Sequence, residues 1–210
     1  AYVRRQRQMC IRDRIDPNDD VNMSQSSNDV IPTAIKVSAY KDLTEKLYPA
    51  LDKLISEIEK KETAFKGLIK TGRTHLMYAM PLEISQELSA WSSQLRNVKK
   101  TLLFLEKRLL EMPLGGTAVG TGINAHPRFA KTFAKELSYL IGGKCKAVSS
   151  ENFFHELSSQ DTAVQLSGEL KNLAVVLMKI SNDLRWMNSG PLAGLSEIEL
   201  KALQPGSSIM

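Results

Sequence analysis

The feature that most limits the fold of this chain is a set of apolar residues that recurs at alternating steps of four and three. These residues are Ile84, Leu88, Trp91, Leu95, Val98, Leu102, Leu105 and Leu109. The spacing predicts one long helix that is buried along its length against other helices. Pro81 fits the first turn of such a helix, Glu83 suits the positive end of its dipole, and Pro113 ends it. We therefore expect a rigid helix over residues 83–111.

Two further segments carry the same kind of apolar stripe. Residues 32–65 place Tyr40, Leu43, Leu47, Ala50, Leu54 and Ile58 on one face, and residues 160–187 do so with Leu166, Leu170, Leu173, Leu177, Ile180 and Leu184. Three long helices in one chain predict an all-α fold, a long-helix bundle. The stripes are core-packing positions rather than a binding site. Their apolar faces are broad for one copy of the chain to bury, so we also expect self-association.

The net charge of +5 is unevenly distributed, and this argues against a nucleic-acid partner. Residues 1–15 hold five arginines and one aspartate, a net charge of +4, and the rest of the chain carries the remaining +1. No aromatic or groove-reading residues accompany this basic segment. We interpret residues 1–15 as a basic head that is non-native or disordered and dispensable for folding.

Membrane and metal roles find no support in the sequence. The longest apolar run, residues 173–178, is far too short to cross a bilayer, and no apolar segment follows the basic head as in a secretory signal. The two cysteines, Cys10 and Cys145, form neither a disulfide framework nor a metal-binding motif, which suits a reducing compartment. We expect no membrane association and no bound metal.

A polar cluster, Ser-Gln-Ser-Ser-Asn-Asp at residues 24–29, stands just before the first predicted helix. Ser27, Asn28 or Asp29 could cap this helix, with Pro32 in its first turn. Four short hydrogen-bonding side chains in a row are more than one cap requires. The surplus is typical of an anion site at a helix N-terminus.

A glycine-rich stretch at residues 115–122 has four glycines in eight residues and predicts a loop whose backbone comes close to a ligand or to another chain. It lacks the Gly-Lys-Ser/Thr ending of a P-loop. A short helix is predicted over residues 127–141, ending at Gly142. His126, just before it, has no metal-ligand partner nearby, so we interpret it as a structural residue or a hydrogen bonder at the helix entry, and His155 receives no role.

Three sequence blocks together resemble the fumarase/aspartase superfamily. They are the cluster at residues 24–29, Gly-Arg-Thr-His-Leu at residues 72–76, and Gly-Ser-Ser-Ile-Met at residues 206–210. Within the superfamily the resemblance is closest to class II fumarate hydratases, because aspartases generally carry Gln at the position of His75. The residues Leu192-Ala193 differ from the Arg-Cys pair that is common at this place in fumarases. Aspartate ammonia-lyase, or another lyase of the superfamily, is therefore the alternative.

The resemblance implies that residues 16–210 are part of the central helical domain of such an enzyme, truncated at both ends and closing on the catalytic-loop segment. The implied activity is the reversible hydration of fumarate to (S)-malate. Ser207 is implied as the base that removes a proton, and His75 as the group that handles the water or hydroxyl. Ser26, Ser27, Asn28 and Thr74 are implied to bind the dicarboxylate. Asp16, Pro17, Asn18 and Asp19 correspond to a secondary dicarboxylate site, although many members carry His where Asp16 stands.

The resemblance also implies that no cofactor is needed and that the assembly is a homo-oligomer, a tetramer whose sites combine blocks from three subunits. The implied location is the cytoplasm, or the mitochondrial matrix in a eukaryote. A catalytically silent helical assembly protein is a further reading, and the intact Thr74, His75 and Ser207 argue against it. We expect the chain as it stands to associate but not to turn over substrate, because the family supplies a cation and an amide beyond Met210.

Overall fold

The computed structural model of the chain describes residues 15–142, 145–203 and 206. Its helices are α1 (Ser27–Asp42), α2 (Tyr48–Ala64), α3 (Ile84–Leu109), α4 (Phe129–Ile141), α5 (Phe153–Ser158) and α6 (Asp161–Met187). Two short π-helical turns, Pro17–Val21 and Leu43–Leu47, complete the helical part. Strands β1 (Ile69–Thr74) and β2 (Met77–Glu83) form an antiparallel hairpin, and β3 (Glu111–Met112) pairs in parallel with β4 (Val148–Ser149). The fold is predominantly helical, as predicted.

The chain divides into two compact units. Of the described residues, the first comprises 15–49, 102–142 and 145–167, and the second comprises 50–101, 168–203 and 206. Helices α2, α3 and α6 each contribute residues to both units. That residues 16–210 form part of one central helical domain stays a prediction, and residues 1–14 of the basic head lie outside the described residues.

The apolar stripe of α3 is buried as the sequence predicts. Leu95 and Leu102 are fully buried, and the other positions from Leu88 to Leu109 are nearly so. Within the second unit, α3 runs antiparallel to α2, since Arg96 pairs with Glu59 while Lys99 pairs with Asp52. The long, buried helix is therefore a confirmed prediction, with its start one residue later than expected and its end two residues earlier.

The start of α3 differs from the prediction in one respect that matters for function. Pro81 lies in β2 opposite Thr71, and not in the first turn of the helix. The hairpin was missed because its two-residue turn is His75-Leu76, which lacks the Asn-Gly or Asp-Gly signal of such turns. Gly72 fits the hairpin for a steric reason, because a Cβ there would lie 2.3 Å from the carbonyl oxygen of Met80.

The predicted stripe of residues 32–65 is wrong between Leu43 and Ile58, both of which are buried as predicted. The buried residues there are Tyr48, Leu51, Ile55 and Ile58, whereas Ala50 and Leu54 are exposed and Leu47 is only partly buried. The cause is the π-helical turn at Leu43–Leu47, which takes about one residue more per turn than an α-helix. The buried residue that follows Leu43 is therefore Tyr48, five positions later, and not Leu47. Leu51 and Ile55 are likewise buried one position after the predicted Ala50 and Leu54, whereas Ile58 is buried as predicted.

In α6, by contrast, the predicted stripe is only half buried. Leu173 and Ile180 are buried, but Leu170 and Leu177 remain 40% and 37% exposed. Val164, Val175 and Met178, which lie on other faces of the helix, are more exposed still. The described chain thus leaves apolar surface on α6 uncovered.

The π-helical turn leads to a matched pair of predictions. Ile55→Ala should lower the free energy of unfolding by about 2–4 kcal/mol, because it removes buried methylene groups and leaves a cavity. Leu54→Ala, one residue earlier, should change it by less than about 1 kcal/mol, since that side chain is exposed. Urea unfolding of both variants measures the difference. Equal losses would contradict the shifted stripe.

Candidate active site

The N-terminus of α1 is capped by Ser26, and not by Ser27, Asn28 or Asp29 as the sequence suggested. The Ser26 hydroxyl accepts the N–H of Asn28 at 3.2 Å, and the N–H of Ser26 donates to the Asp29 carboxylate at 2.9 Å. Ser27 and Asn28 are the first two residues of the helix, and both are exposed. Pro32 falls in the second turn rather than the first. The predicted anion-binding residues therefore do lie together at a helix N-terminus.

Asp29 ties this helix end to the glycine-rich loop. Its fully buried carboxylate accepts the backbone N–H groups of Gly115 at 3.1 Å and Thr117 at 2.9 Å, in addition to that of Ser26. The side-chain amide of Asn28 donates to the carbonyl of Ala118 at 2.7 Å. The sequence indicated Asp29 only as a possible cap, because nothing local reveals a bond to residues 86 and 88 positions away.

The glycines of this loop allow close packing within the first unit itself. At Gly115, whose φ is +113°, an added Cβ would lie 2.4 Å from the Cβ of Ala130. At Gly120, with φ of +102°, it would lie 2.9 Å from the ring of Phe154. The sequence predicted that the backbone of this loop comes close to a ligand or to another chain. In the structure it comes close to α4 and α5 of the same chain.

A second buried charge in the first unit is Lys36, which the sequence analysis did not single out. Its ammonium group pairs with the buried carboxylate of Glu156 in α5. It also donates to the carbonyl oxygens of Arg108 at 3.2 Å and Glu111 at 3.0 Å, where α3 ends. A cation at the C-terminal end of a helix is favourable, so Lys36 joins α1, α5 and the end of α3.

Thr74 and His75 lie at the tip of the β1–β2 hairpin. His75 and Leu76 are the two central residues of the turn, with φ of 52° and 62°, and Thr74 faces Met77 across it. Positive φ at both central residues is the requirement of a type I′ turn. Seven residues of β2 at about 3.3 Å each put the tip about 20 Å from the start of α3. His75 is therefore separated from the start of that helix by the whole of β2.

Strand β1 carries a network of charges in the second unit, from Lys70 near the base of the hairpin to Arg73 next to Thr74. Lys70 of β1 pairs with Glu87 of α3 at 2.6 Å and with Glu197 at 2.7 Å, and Arg73 also pairs with Glu197. Burial tends to raise the pKa of Glu197, but hydrogen bonds from Lys70 and Arg73 outweigh it and leave that pKa below its usual value. Burial tends to lower the pKa of Lys70, yet its two carboxylate partners raise it overall.

The remaining predicted residues lie elsewhere. Asp16 precedes the turn Pro17–Val21, and its carboxylate accepts the N–H of Asp19 at 3.0 Å, so it closes that turn. The ring of His126 accepts the N–H of Arg128 at 3.1 Å, which confirms it as a hydrogen bonder at the entry to α4. Ser207 lies outside the described residues.

Two cavities of the first unit were not indicated by the sequence. One of about 370 Å³ is lined by residues that include Glu111, His155 and Glu156, and one of about 510 Å³ by residues that include Lys131 and Lys135. Neither is lined by a predicted site residue. Among the described residues, no group of three or more His, Cys, Asp or Glu side chains is arranged to hold a metal ion.

The comparison with protein families matches the chain over nearly its whole length. The sequence model of the family described as Lyase covers residues 4–210. The chain therefore belongs to this family of lyases. The match begins inside the basic head, whose non-native origin stays a prediction.

Within this family of lyases, individual relatives with high sequence identity are class II fumarate hydratases. The chain is 54% identical over 197 residues to "Fumarate hydratase class II 2" of Pseudomonas aeruginosa, and 55% identical over 196 residues to "Fumarate hydratase class II" of Xylella fastidiosa. These alignments cover 94% and 93% of this chain but only 43% and 41% of the relatives. The chain thus spans less than half the length of the relatives it matches.

Solved structures agree on the fold. A recombinant class II fumarase from Schistosoma mansoni matches with a TM-score of 0.89 and 38% identity, covering 94% of this chain and 44% of that one. A fumarate lyase:delta crystallin from Brucella melitensis, solved with cobalt bound, matches with a TM-score of 0.85 and 42% identity, covering 95% and 43%. The predicted fold of the fumarase/aspartase type is confirmed, and the relatives do not favour the ammonia-lyase alternative.

Asp29 offers a test of how the α1 end of the site is built. Asp29→Asn should lower the free energy of unfolding by about 2–3 kcal/mol, because an amide NH₂ cannot accept the backbone N–H groups that the carboxylate holds. The matched control is Asp42→Asn in the same helix, whose pair with Lys46 is exposed and should contribute little to stability. Thermal or urea unfolding compares the two. If Asp29→Asn left the free energy of unfolding unchanged, Asp29 would not be what holds the glycine-rich loop to the N-terminus of α1.

Proposed function

We propose that the chain is part of a protein that catalyses the reversible hydration of fumarate to (S)-malate. The observation that carries this proposal is the 54% identity to a class II fumarate hydratase over 197 residues. Since the chain covers 43% of that relative, the activity is proposed for the whole protein and not for these 210 residues alone.

Hydration of fumarate requires a site for a dianion, and the N-terminus of α1 has the properties needed. It presents the positive end of a 16-residue helix together with the side chains of Ser26, Ser27 and Asn28. The Ser26 oxygen accepts the Asn28 N–H, so its own hydroxyl hydrogen can still be donated to a carboxylate. Neutral donors held by a capped helix are suited to stabilise the charge that builds up on a carboxylate when the C3 proton of malate is removed.

The proposed acid/base pair is Ser207 and His75. Ser207 removes the C3 proton as an activated alkoxide, and His75 handles the water or hydroxyl on the other face. Thr74 binds the dicarboxylate beside His75. Both lie exposed at the tip of a hairpin, a position from which they can reach a substrate held by another element.

The assembly proposed is a homo-oligomer, a tetramer, with a small dicarboxylate as substrate. Exposed apolar residues on α6 (Val164, Val175 and Met178), with Phe104 on α3 and Leu76, Met77 and Tyr78 on the hairpin, support association with further copies. We further propose a cytoplasmic location and a role in the tricarboxylic acid cycle. Within the described ranges, no helix has the length and apolar character needed to cross a membrane.

The proposed roles can be tested in a hybrid in which this chain replaces the matching region of the Pseudomonas aeruginosa relative. His75→Asn should lower turnover of malate by about a hundredfold or more, the usual scale for loss of an acid/base group. The fold should be kept, since Asn tolerates the positive φ of the turn. Fumarate absorbance measures turnover, with malate and aspartate as the two substrates.

His155→Asn is the matched control for this experiment, because His155 is hydrogen-bonded to Asp161 in the first unit and is not a predicted site residue, so turnover should be unchanged. Near-normal turnover of His75→Asn would remove His75 from the mechanism. Turnover of aspartate instead of malate would replace the hydratase with an ammonia-lyase.

The assembly is tested on the 210-residue chain itself. Light scattering should show oligomers, while the fumarate assay should show no turnover by the chain alone. Met178→Lys should weaken the oligomer, because it places a charge on an exposed apolar face of α6. Asn172→Lys, which adds the same charge at an exposed polar position of α6, should not. A monomeric parent chain would contradict the proposed association.

A further inference from the structure

The hairpin that carries Thr74 and His75 is held by one glutamate at two points of β1: Lys70, near the base, and Arg73, the residue before Thr74. The two carboxylate oxygens of Glu197 take different partners, with Arg73 on Oε1 and Lys70 on Oε2. Arg73 also lies over the ring of Tyr78 in β2, with 5.8 Å between the guanidinium carbon and the ring centroid. Glu197 thus contacts two cations of β1, one of which reaches across to the second strand.

The backbone of Glu197 is attached to the end of α6. Its N–H donates to the carbonyl of Met187, the last residue of that helix, at 2.8 Å, and the N–H of Ile198 shares the same acceptor at 3.3 Å. Just before it, the N–H of Ser196 donates to the carbonyl of Ser189 at 2.7 Å. The segment from α6 to Glu197 is therefore closed on itself by hydrogen bonds, and Glu197 is held in place independently of the hairpin.

The network is largely removed from solvent. The side chains of Lys70, Glu197 and Arg73 are 10%, 11% and 20% exposed. Ion pairs at such positions are less screened than pairs on the surface, and the loss of one partner leaves the other charges buried without compensation. Lys70 extends the network to Glu87 in the first turn of α3, so the hairpin base is connected to two helices.

This connection bears on function because the hairpin carries Thr74 and His75 at its tip. Arg73 is only two residues before His75, and Lys70 lies near the start of β1, so the contacts of Glu197 set the direction of the strand up to the turn that contains His75. A misplacement of about 1 Å at a reacting group can cost about a hundredfold in rate.

We propose that Glu197 is a positioning residue for the hydratase site: by binding Lys70 and Arg73 from the end of α6, it sets the direction of the hairpin and thereby the place of Thr74 and His75. The effect on turnover rests on the function proposed above. The mechanical link between Glu197 and the hairpin does not, and it is measured separately.

The link is measured by amide hydrogen exchange on the 210-residue chain. Glu197→Gln should raise the exchange rates of peptides from the hairpin, residues 69–83, by roughly tenfold, while peptides from the middle of α3 keep their protection. The control is Glu199→Gln, which makes the same change of charge at an exposed position two residues further on and should leave the hairpin unaffected. Unchanged exchange in the hairpin of Glu197→Gln overturns the proposal.

The positioning role is measured by a double-mutant cycle for turnover in the hybrid protein. In the parent background, Glu197→Gln should lower kcat by roughly tenfold to a hundredfold. In the His75→Asn background it should lower kcat by less than about twofold further, because the group that it positions is already gone. Glu197→Asp, which keeps the charge, should retain more of the turnover than Glu197→Gln.

The outcomes are distinguishable. Equal losses of kcat in both backgrounds, or losses explained by a lower fraction of folded protein in circular dichroism, mean that Glu197 only stabilises the fold, and the proposal fails. A hybrid that hydrates no fumarate overturns the proposed function and the catalytic half of this inference with it. The exchange result decides the link between Glu197 and the hairpin in either case.

Discussion

Burial of the apolar stripe of α3 is the constraint on which the rest of the structure depends. Leu95, Leu102 and Leu109 are at most 1% exposed, and at about 25 cal/mol per Å² such side chains each stabilise the fold by about 1.5–3 kcal/mol relative to exposure. The helix contributes to both compact units, so each core contains part of the same stripe. The apolar face of α3 determines which side of the helix is buried, and the loops and helix ends pack around it.

The segments that carry the candidate site residues are attached to this framework by buried charges. Asp29 holds the glycine-rich loop against the N-terminus of α1, and Glu197 holds strand β1 of the hairpin at the end of α6. In each case one carboxylate accepts hydrogen bonds from two or three donors, and these bonds offset the free-energy cost of burying its charge. Candidate site residues such as Asn28, in the first turn of α1, and His75, in the hairpin turn, can then be exposed and still be held in place.

Much of this arrangement was predictable from the sequence where the cause is local and periodic. The α3 stripe, the end of α4 at Gly142, which has a φ of 61°, and the role of His126 at a helix entry all follow from spacing or capping. The shift from Leu54 to Ile55 did not follow, because a π-helical turn leaves no distinct pattern in the residues that form it. The hairpin was missed because its turn, His75-Leu76, uses residues that rarely adopt positive φ.

The sequence by itself determined the class of fold and the identity of the candidate site residues, because heptad spacing and the three short blocks are properties of neighbouring residues. Only the tertiary structure decided how those residues are held. The partners of Asp29 at Gly115 and Thr117, of Lys36 at Glu156, and of Arg73 at Glu197 are 86 to 124 positions apart along the chain. Pairing of buried charges depends on which groups the packed helices bring within hydrogen-bond distance, and no local pattern of residues carries that information.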